Sequence, residues 1–199
     1  MRLLLSGFEP FGGEQINPSA LVTQRILVEG IELRRIILPT EYGRSAETII
    51  SEINLFHPDW IIMLGQAAGR AQITPERVAL NLDDASIPDN AGSQPREQSI
   101  ASGPDALFST LPIQQMVTAM HSAGVPASIS NSAGTFVCNH VFYSVMLHIS
   151  NNQLKARAGF IHIPLLPSQA LEKSLPSMDL ALICKGLQEA IREMGQSQV

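Results

Sequence analysis

The chain has 199 residues, 45% hydrophobic and 16% charged, which is enough to enclose a core without metals or disulfides and too apolar for a disordered chain. Thirteen Lys and Arg against 18 Asp and Glu leave a net charge of −5, with no basic run, which argues against nucleic acid or an anionic membrane surface as partner. Two cysteines, Cys138 and Cys184, are too few for a disulfide framework, and no Cys/His cluster has zinc spacing.

From the N-terminus, residues 2–8 read as a buried strand. Their apolar run is too short for a signal-peptide core, and no segment approaches a membrane span. Residues 18–30 read as a helix, with Asn17 as cap, proline in the first turn and glycine at the end. Residues 31–39 read as a strand, 43–57 as a helix and 59–65 as another buried strand. Strand, helix, strand, helix, strand is the pattern of a parallel sheet covered by helices. Residues 76–84 suggest a further strand. The polar stretch 85–105, rich in Gly, Pro, Ser and Asn, is too long to be an idle loop and reads as functional or as an interface arm. A helix over 113–124, a strand over 126–130, a helix after Cys138, a strand over 158–164 and a helix over 178–195 complete the chain. No linker divides it, so residues 1–199 are expected to form one soluble, intracellular α/β domain with reduced thiols.

Cys138, in "AGTFVCNHVFY", falls where the helical pattern begins. Unpaired N–H groups of a first helical turn stabilise a thiolate, and equally an oxyanion formed after attack. Gly134 allows the sharp turn into the helix. Cys184, in the middle of a helix, reads as core filler. A thiolate nucleophile needs a base. His140 lies two positions along the helix from Cys138 and so points away. His57, His121 and His148 read as surface or packing residues. His162 stands at the carboxyl end of an apolar strand, where sites gather in parallel sheets, and alternation puts it on one face with Phe160. A carboxylate should orient the imidazole. Glu76, Asp83, Asp84 and Asp89 are all candidates; Glu76 stands out modestly because it opens an apolar strand, and it reads equally as one half of a salt bridge with Arg70 or Arg77.

The segments "GFEPFGG" with "NPS" (7–19), "GQAAGRAQITPERVALN" (65–81), "DDASIPDN" (83–90), "SAGTFVCNHVFY" (132–143) and "GFIHIP" (159–164) closely resemble those of the pyrrolidone carboxyl peptidases, or pyroglutamyl peptidases I, a family of cysteine peptidases. The resemblance implies a Cys–His–Glu triad: Cys138 as nucleophile, His162 as base and Glu76 as orienting carboxylate. It implies a three-layer α/β/α sandwich with a twisted, mostly parallel mixed sheet. It also implies removal of N-terminal pyroglutamyl (5-oxoprolyl) residues from peptides without a cofactor, by a cytoplasmic homo-oligomer, commonly a tetramer. The alternative is a catalytically weak paralogue that only binds 5-oxoproline or a blocked peptide end.

Pyroglutamate is a small flat uncharged lactam, suited to an apolar slot with a few hydrogen bonds. The resemblance assigns that slot to Phe8, Phe11, Ile87, Phe136 and Val137. Asn17 is expected to cap the first helix and organise the loop before it, and Gln66 to offer polar contacts. "GFEPFGG" lacks both G-x-G-x-x-G and a P-loop lysine, so it does not read as a phosphate loop. One position departs from the family: Ser86 stands where an arginine is usual, and Arg70 and Arg96 are the candidate replacements for its charge.

Overall fold

Leu3, Leu4 and Leu5 are all fully buried, so the first strand has no solvent face; it belongs in the middle of a sheet covered on both sides. The computed structural model describes residues 1–196. In chain order the elements are β1 (Arg2–Phe8), α1 (Pro18–Arg25), β2 (Glu32–Leu38), α2 (Arg44–Phe56), β3 (Trp60–Gln66), β4 (Thr74–Pro75), β5 (Val78–Leu80), β6 (Ala106–Phe108), α3 (Ile113–Ser122), α4 (Val137–Asn151), β7 (Arg157–Ile163), α5 (Pro167–Ala170) and α6 (Leu180–Gln196). The main sheet runs β2-β1-β3-β7-β4. Its first four strands are parallel, and β4 is antiparallel to β7. β5 and β6 form a separate antiparallel pair.

Alternation along the strands sorts the core into two layers. Leu3, Leu5, Trp60, Ile62, Leu64, Ile161 and Ile163 pack with α1, α3 and α6. Leu4, Ile61, Met63 and Phe160 pack with α2 and α4 on the opposite face. This is the expected mostly parallel three-layer arrangement. At the edge, β2 exposes Glu32, Arg34 and Arg35, charges that discourage pairing with another strand. The described helices include none long and apolar enough to cross a membrane.

Several local expectations need correction. α1 stops at Arg25 instead of continuing to residue 30: Ile26 turns into an extended conformation and buries its side chain in the core, and the Arg35 guanidinium donates to its carbonyl at 2.6 Å. Residues 76–84 are not one strand. Thr74–Pro75 pairs with β7 and Val78–Leu80 with β6, so the chain changes sheet at Glu76. Residues 126–130 make only isolated bridges, at Ala127 and Ser130. The short elements β6 and α5 fall below the length at which periodicity is readable. The polar stretch 85–105 is tied down by its backbone. Asp83 and Gln98 exchange two N–H···O bonds, the Ala85 N–H donates to the Pro95 carbonyl, and the Asn81 side chain accepts from Ile100 and Ala101 N–H.

Candidate active site

The carboxyl ends of β1, β3 and β7 lie together in register, and the amino end of α4 approaches them from one side. Val137 is the first residue of α4, so Cys138 is the second, and Gly134 makes the entering turn at φ 78°. The residue before the helix, Phe136, has no side-chain cap to offer, which leaves the first-turn N–H groups for an anion. Sulfur needs room over the sheet, and Gly65 provides it. A Cβ at Gly65 would sit 2.9 Å from Cys138 Sγ and 2.7 Å from the Phe160 ring. In the β3–β7 register Gly65 is the direct neighbour of His162, so the thiol lies over the strand position beside the imidazole.

His162 shares the face of Phe160, their rings 4.8 Å apart, as alternation requires. Its carboxylate follows β4: antiparallel pairing of Thr74 with His162 and of Pro75 with Ile161 brings the next residue, Glu76, to the ring. Nδ1 of His162 lies 2.7 Å from Glu76 Oε1, which holds the proton on Nδ1 and leaves Nε2 free as a base. The same oxygen accepts from Arg70 Nη1 at 2.6 Å, and Arg70 also donates to Thr74 Oγ1 and to the Ser132 carbonyl. Glu76 is fully buried. Both readings of Glu76 therefore hold at once: it is partner to an imidazole and half of an ion pair. Arg77 turns instead to Asn131.

The other candidates are accounted for. Asp83 binds His140, Asp89 accepts N–H groups from Tyr42, Ala91 and Ser93, and Asp84 faces Arg96 at 3.7 Å. His121 bonds the Ala127 carbonyl, His148 bonds Asn54, and His57 ends α2 in a left-handed conformation. Cys184 packs against the core in α6. Of the two candidate replacements for an arginine at position 86, Arg70 is bound to Glu76 and Arg96 faces Asp84, while Ser86 is exposed.

Aromatic rings pack at the entry to α4. Phe11 and Phe136 are half-buried with ring centroids 5.7 Å apart. Ile87 is 41% exposed and hangs over the loop at Gly12. Phe8 and Val137 are buried in the core layer beneath, with Phe8 6.2 Å from Phe160. Asn17 accepts from Ser19 N–H and donates to the Glu9 carbonyl, so it caps α1 and braces the loop with the same amide. Gln66 accepts from Gln169 Nε2 at 3.0 Å, and Gln169 is itself oriented by the Leu166 N–H on its Oε1. Gln169 was not legible in the sequence because its side-chain partners beyond its own turn, Glu14, Ile16 and Gln66, lie more than a hundred residues away. A groove of about 500 Å³ beside the first loop is lined by Gly12, Glu14, Gln169 and Lys173. The cleft of about 670 Å³ between α3 and α6 lies away from this chemistry. Among the described residues no His/Cys/Asp/Glu group has the makings of a metal site.

Burial, then the negative charge of Glu76, push the Cys138 thiol up to about 12, against the opposing charge of Arg70. That corresponds to roughly 4 kcal/mol against the thiolate, more than the ~0.3–2 kcal/mol a helix N-terminus returns. Burial also lowers His162 below 6.5, partly offset by Glu76. Both shifts favour a neutral thiol beside a neutral imidazole at rest. Below the His162 pKa the ring is charged and cannot accept a proton; above it the base is available while the thiol still holds its proton. We expect kcat/KM to rise on the acid side with a midpoint below 6.5 and then stay level to about pH 9. A bell with an alkaline fall near pH 8 would show a resting thiolate–imidazolium pair instead.

A family model described as pyroglutamyl peptidase matches residues 1–197. The pyrrolidone-carboxylate peptidase of Vibrio campbellii is 47% identical over 190 residues, covering 94% of this chain and 89% of that protein. Pyrrolidone-carboxylate peptidase 1 of Caldanaerobacter subterraneus subsp. tengcongensis is 46% identical over 196 residues, covering 96% and 97%. Among solved structures, the crystal structure of Bacillus amyloliquefaciens pyroglutamyl peptidase I superposes with a TM-score of 0.95 at 44% identity, covering 98% of this chain and 97% of that one.

Proposed function

The chain belongs to the pyroglutamyl peptidase family, and from that premise we propose that it is a cysteine omega-peptidase that removes N-terminal pyroglutamyl residues with Cys138, His162 and Glu76 as its triad. The observation that carries the reading is the Glu76–His162 bond at 2.7 Å, next to a thiol seated over Gly65 at the start of a helix. As sulfur attacks the pyroglutamyl carbonyl, the thiol proton passes to His162 Nε2, and the oxyanion forms near the first-turn N–H groups of α4. Glu76 stabilises the imidazolium, which then protonates the leaving amine. Water, deprotonated by the same ring, hydrolyses the thioester and frees 5-oxoproline and the thiol.

In this proposal Phe11 and Phe136 sandwich the lactam, Phe8 and Val137 back it, and Ile87 closes the rim. Gln66 contributes an amide; Asn17 acts through the loop it braces. Because the slot is apolar, a free glutamyl residue would have to shed a charged amine and carboxylate without partners and is rejected. The test is a pyroglutamyl amide with a fluorogenic leaving group, beside the prolyl and glutamyl analogues. Cleavage of the first alone supports the reading; tight binding of 5-oxoproline without turnover would support the binding-only alternative. Cytoplasmic location and a homotetramer, expected from the resemblance, belong to the same proposal, and light scattering measures the second.

Ser86 bears on rate. It is exposed on the arm that bonds the nucleophile loop through Asp84 and Thr135. We expect Ser86→Arg to raise kcat/KM by about threefold, the scale of one screened charge. No change in a side-by-side assay would make the arginine incidental.

A further inference from the structure

Three segments distant in sequence meet beside the amino end of α4: the loop after β2, the arm at Asp83, and the first turns of α4 itself. His140 is their junction. The Gly43 N–H donates to its Nε2 at 3.2 Å. A backbone amide can only donate, so Nε2 carries the lone pair and the ring proton is on Nδ1. Nδ1–H then donates to Asp83 Oδ2 at 2.8 Å. The imidazole is thereby neutral, in one tautomer, with both nitrogens used. The side chains of His140 and Asp83 are only 12% and 10% exposed. His140 faces away from Cys138 on the helix, so this pair has no part in the proton transfers of the triad.

Its effect falls on Tyr42. The Tyr42 ring stands edge-on to His140 at 5.4 Å and edge-on to Phe136 at 5.7 Å. Its backbone is held as well, by N–H donation to Asp89 Oδ2 at 2.8 Å. Beyond Phe136 comes Phe11. An edge-to-face pair fixes the orientation of both rings, so the order His140, Tyr42, Phe136 transmits one geometry to the face of the slot.

We propose that His140 is a positioning residue for substrate selection: clamped between Asp83 and the Gly43 N–H, it sets Tyr42 as a further wall of the lactam slot, and Tyr42 in turn sets Phe136. The proposal deepens the pyroglutamyl reading and rests on it. Loss of the clamp loosens the slot and leaves the thiol, His162 and Glu76 in place. It is therefore felt in KM.

The test uses a pyroglutamyl aminocoumarin amide with His140→Ala, Tyr42→Ala, Tyr42→Phe, Asp83→Ala and Asp83→Asn. His140→Ala and Tyr42→Ala are expected to raise KM about tenfold or more with kcat within about threefold. Tyr42→Phe keeps the ring, and Asp83→Asn keeps an oxygen for Nδ1–H; each raises KM less than its alanine counterpart. The double variant His140→Ala/Tyr42→Ala is expected to be little worse than the poorer single, since both act through one wall. A second readout needs no turnover: alkylation of Cys138 by iodoacetamide, with 2-pyrrolidone as the protecting ligand. The unprotected rate should hold while the 2-pyrrolidone concentration giving half protection rises with KM. A fall in kcat at constant KM, additive effects, or an altered unprotected rate would overturn the proposal. Wild-type cleavage with variants of unchanged KM overturns this proposal alone. A wild-type protein that neither cleaves the amide nor is protected by 2-pyrrolidone overturns the pyroglutamyl reading and this one together.

Discussion

Cys138→Ala is expected to lower kcat/KM for a pyroglutamyl amide by on the order of 10⁴ or more, the usual consequence of removing a covalent nucleophile. Without sulfur no thioester forms, and nothing else at the site can replace it. Cys184, the remaining cysteine, is packed in α6 on the other face of the sheet. The substitution should be silent structurally. Alanine is a better helix former than cysteine, and it removes a group whose burial disfavours its charged form. Thermal melting close to wild type, together with retained protection or binding by 5-oxoproline, separates lost chemistry from lost fold. Cys138→Ser should be nearly as inactive: a hydroxyl is still harder to deprotonate than a thiol already pushed up by burial. Residual hydrolysis above about a hundredth of wild type in a purified alanine variant would sink the nucleophile assignment.

Glu76→Gln should cost about 10²–10³ in kcat, and about 3 kcal/mol of stability, because it opens a buried ion pair. The geometry explains why the rate effect is smaller than for Cys138. One oxygen, Oε1, accepts from both His162 and Arg70, and a glutamine oxygen can keep both bonds. The tautomer of His162 therefore survives, while the negative charge that stabilises its imidazolium is gone. The Arg70 guanidinium is left facing a neutral amide. Glu76 raises the His162 pKa through its hydrogen bond and its charge, so its loss lowers that pKa further. The acid limb of kcat/KM should move to lower pH while the plateau falls. Glu76→Ala also removes the acceptor and should fall on the order of tenfold further. A double variant, Glu76→Gln with Arg70→Met, should recover part of the lost stability and none of the rate. An acid limb displaced upward, or a Glu76→Gln enzyme of wild-type rate, would remove Glu76 from the triad.

The two predictions rest on different degrees of legibility. Cys138 stood out because helix periodicity begins around it, and the structure starts α4 one residue earlier. His162 stood out because period-two alternation puts one polar side chain on an apolar face, where it is found beside Phe160. Glu76 stood out from Asp83, Asp84 and Asp89 only modestly, by opening an apolar strand, and spacing left it equally a salt-bridge partner. The four differ only in which distant segment each one meets: β7, His140, Arg96 and the loop at Tyr42. His140 read only as pointing away from Cys138; its two hydrogen-bond partners lie 97 and 57 residues away.

Local chemistry is what the sequence determined by itself. Unbroken apolar runs specify strands covered on both faces, Asn17 with Pro18 specifies a helix start, and the glycine-led turn before Cys138 specifies another. Each depends on residues within one turn or one pleat of each other. Tertiary structure alone decided the convergence. It placed β4 antiparallel beside β7, so that Glu76 reached His162 and Arg70 reached Glu76. It placed β3 next to β7, so that Gly65 left space for sulfur. It also stopped α1 at Arg25, where burying Ile26 outweighed another turn of helix. The physical reason is common to all three: burial and buried hydrogen bonds are worth most between groups that chain closure brings together, and a one-dimensional pattern carries no term for those partners.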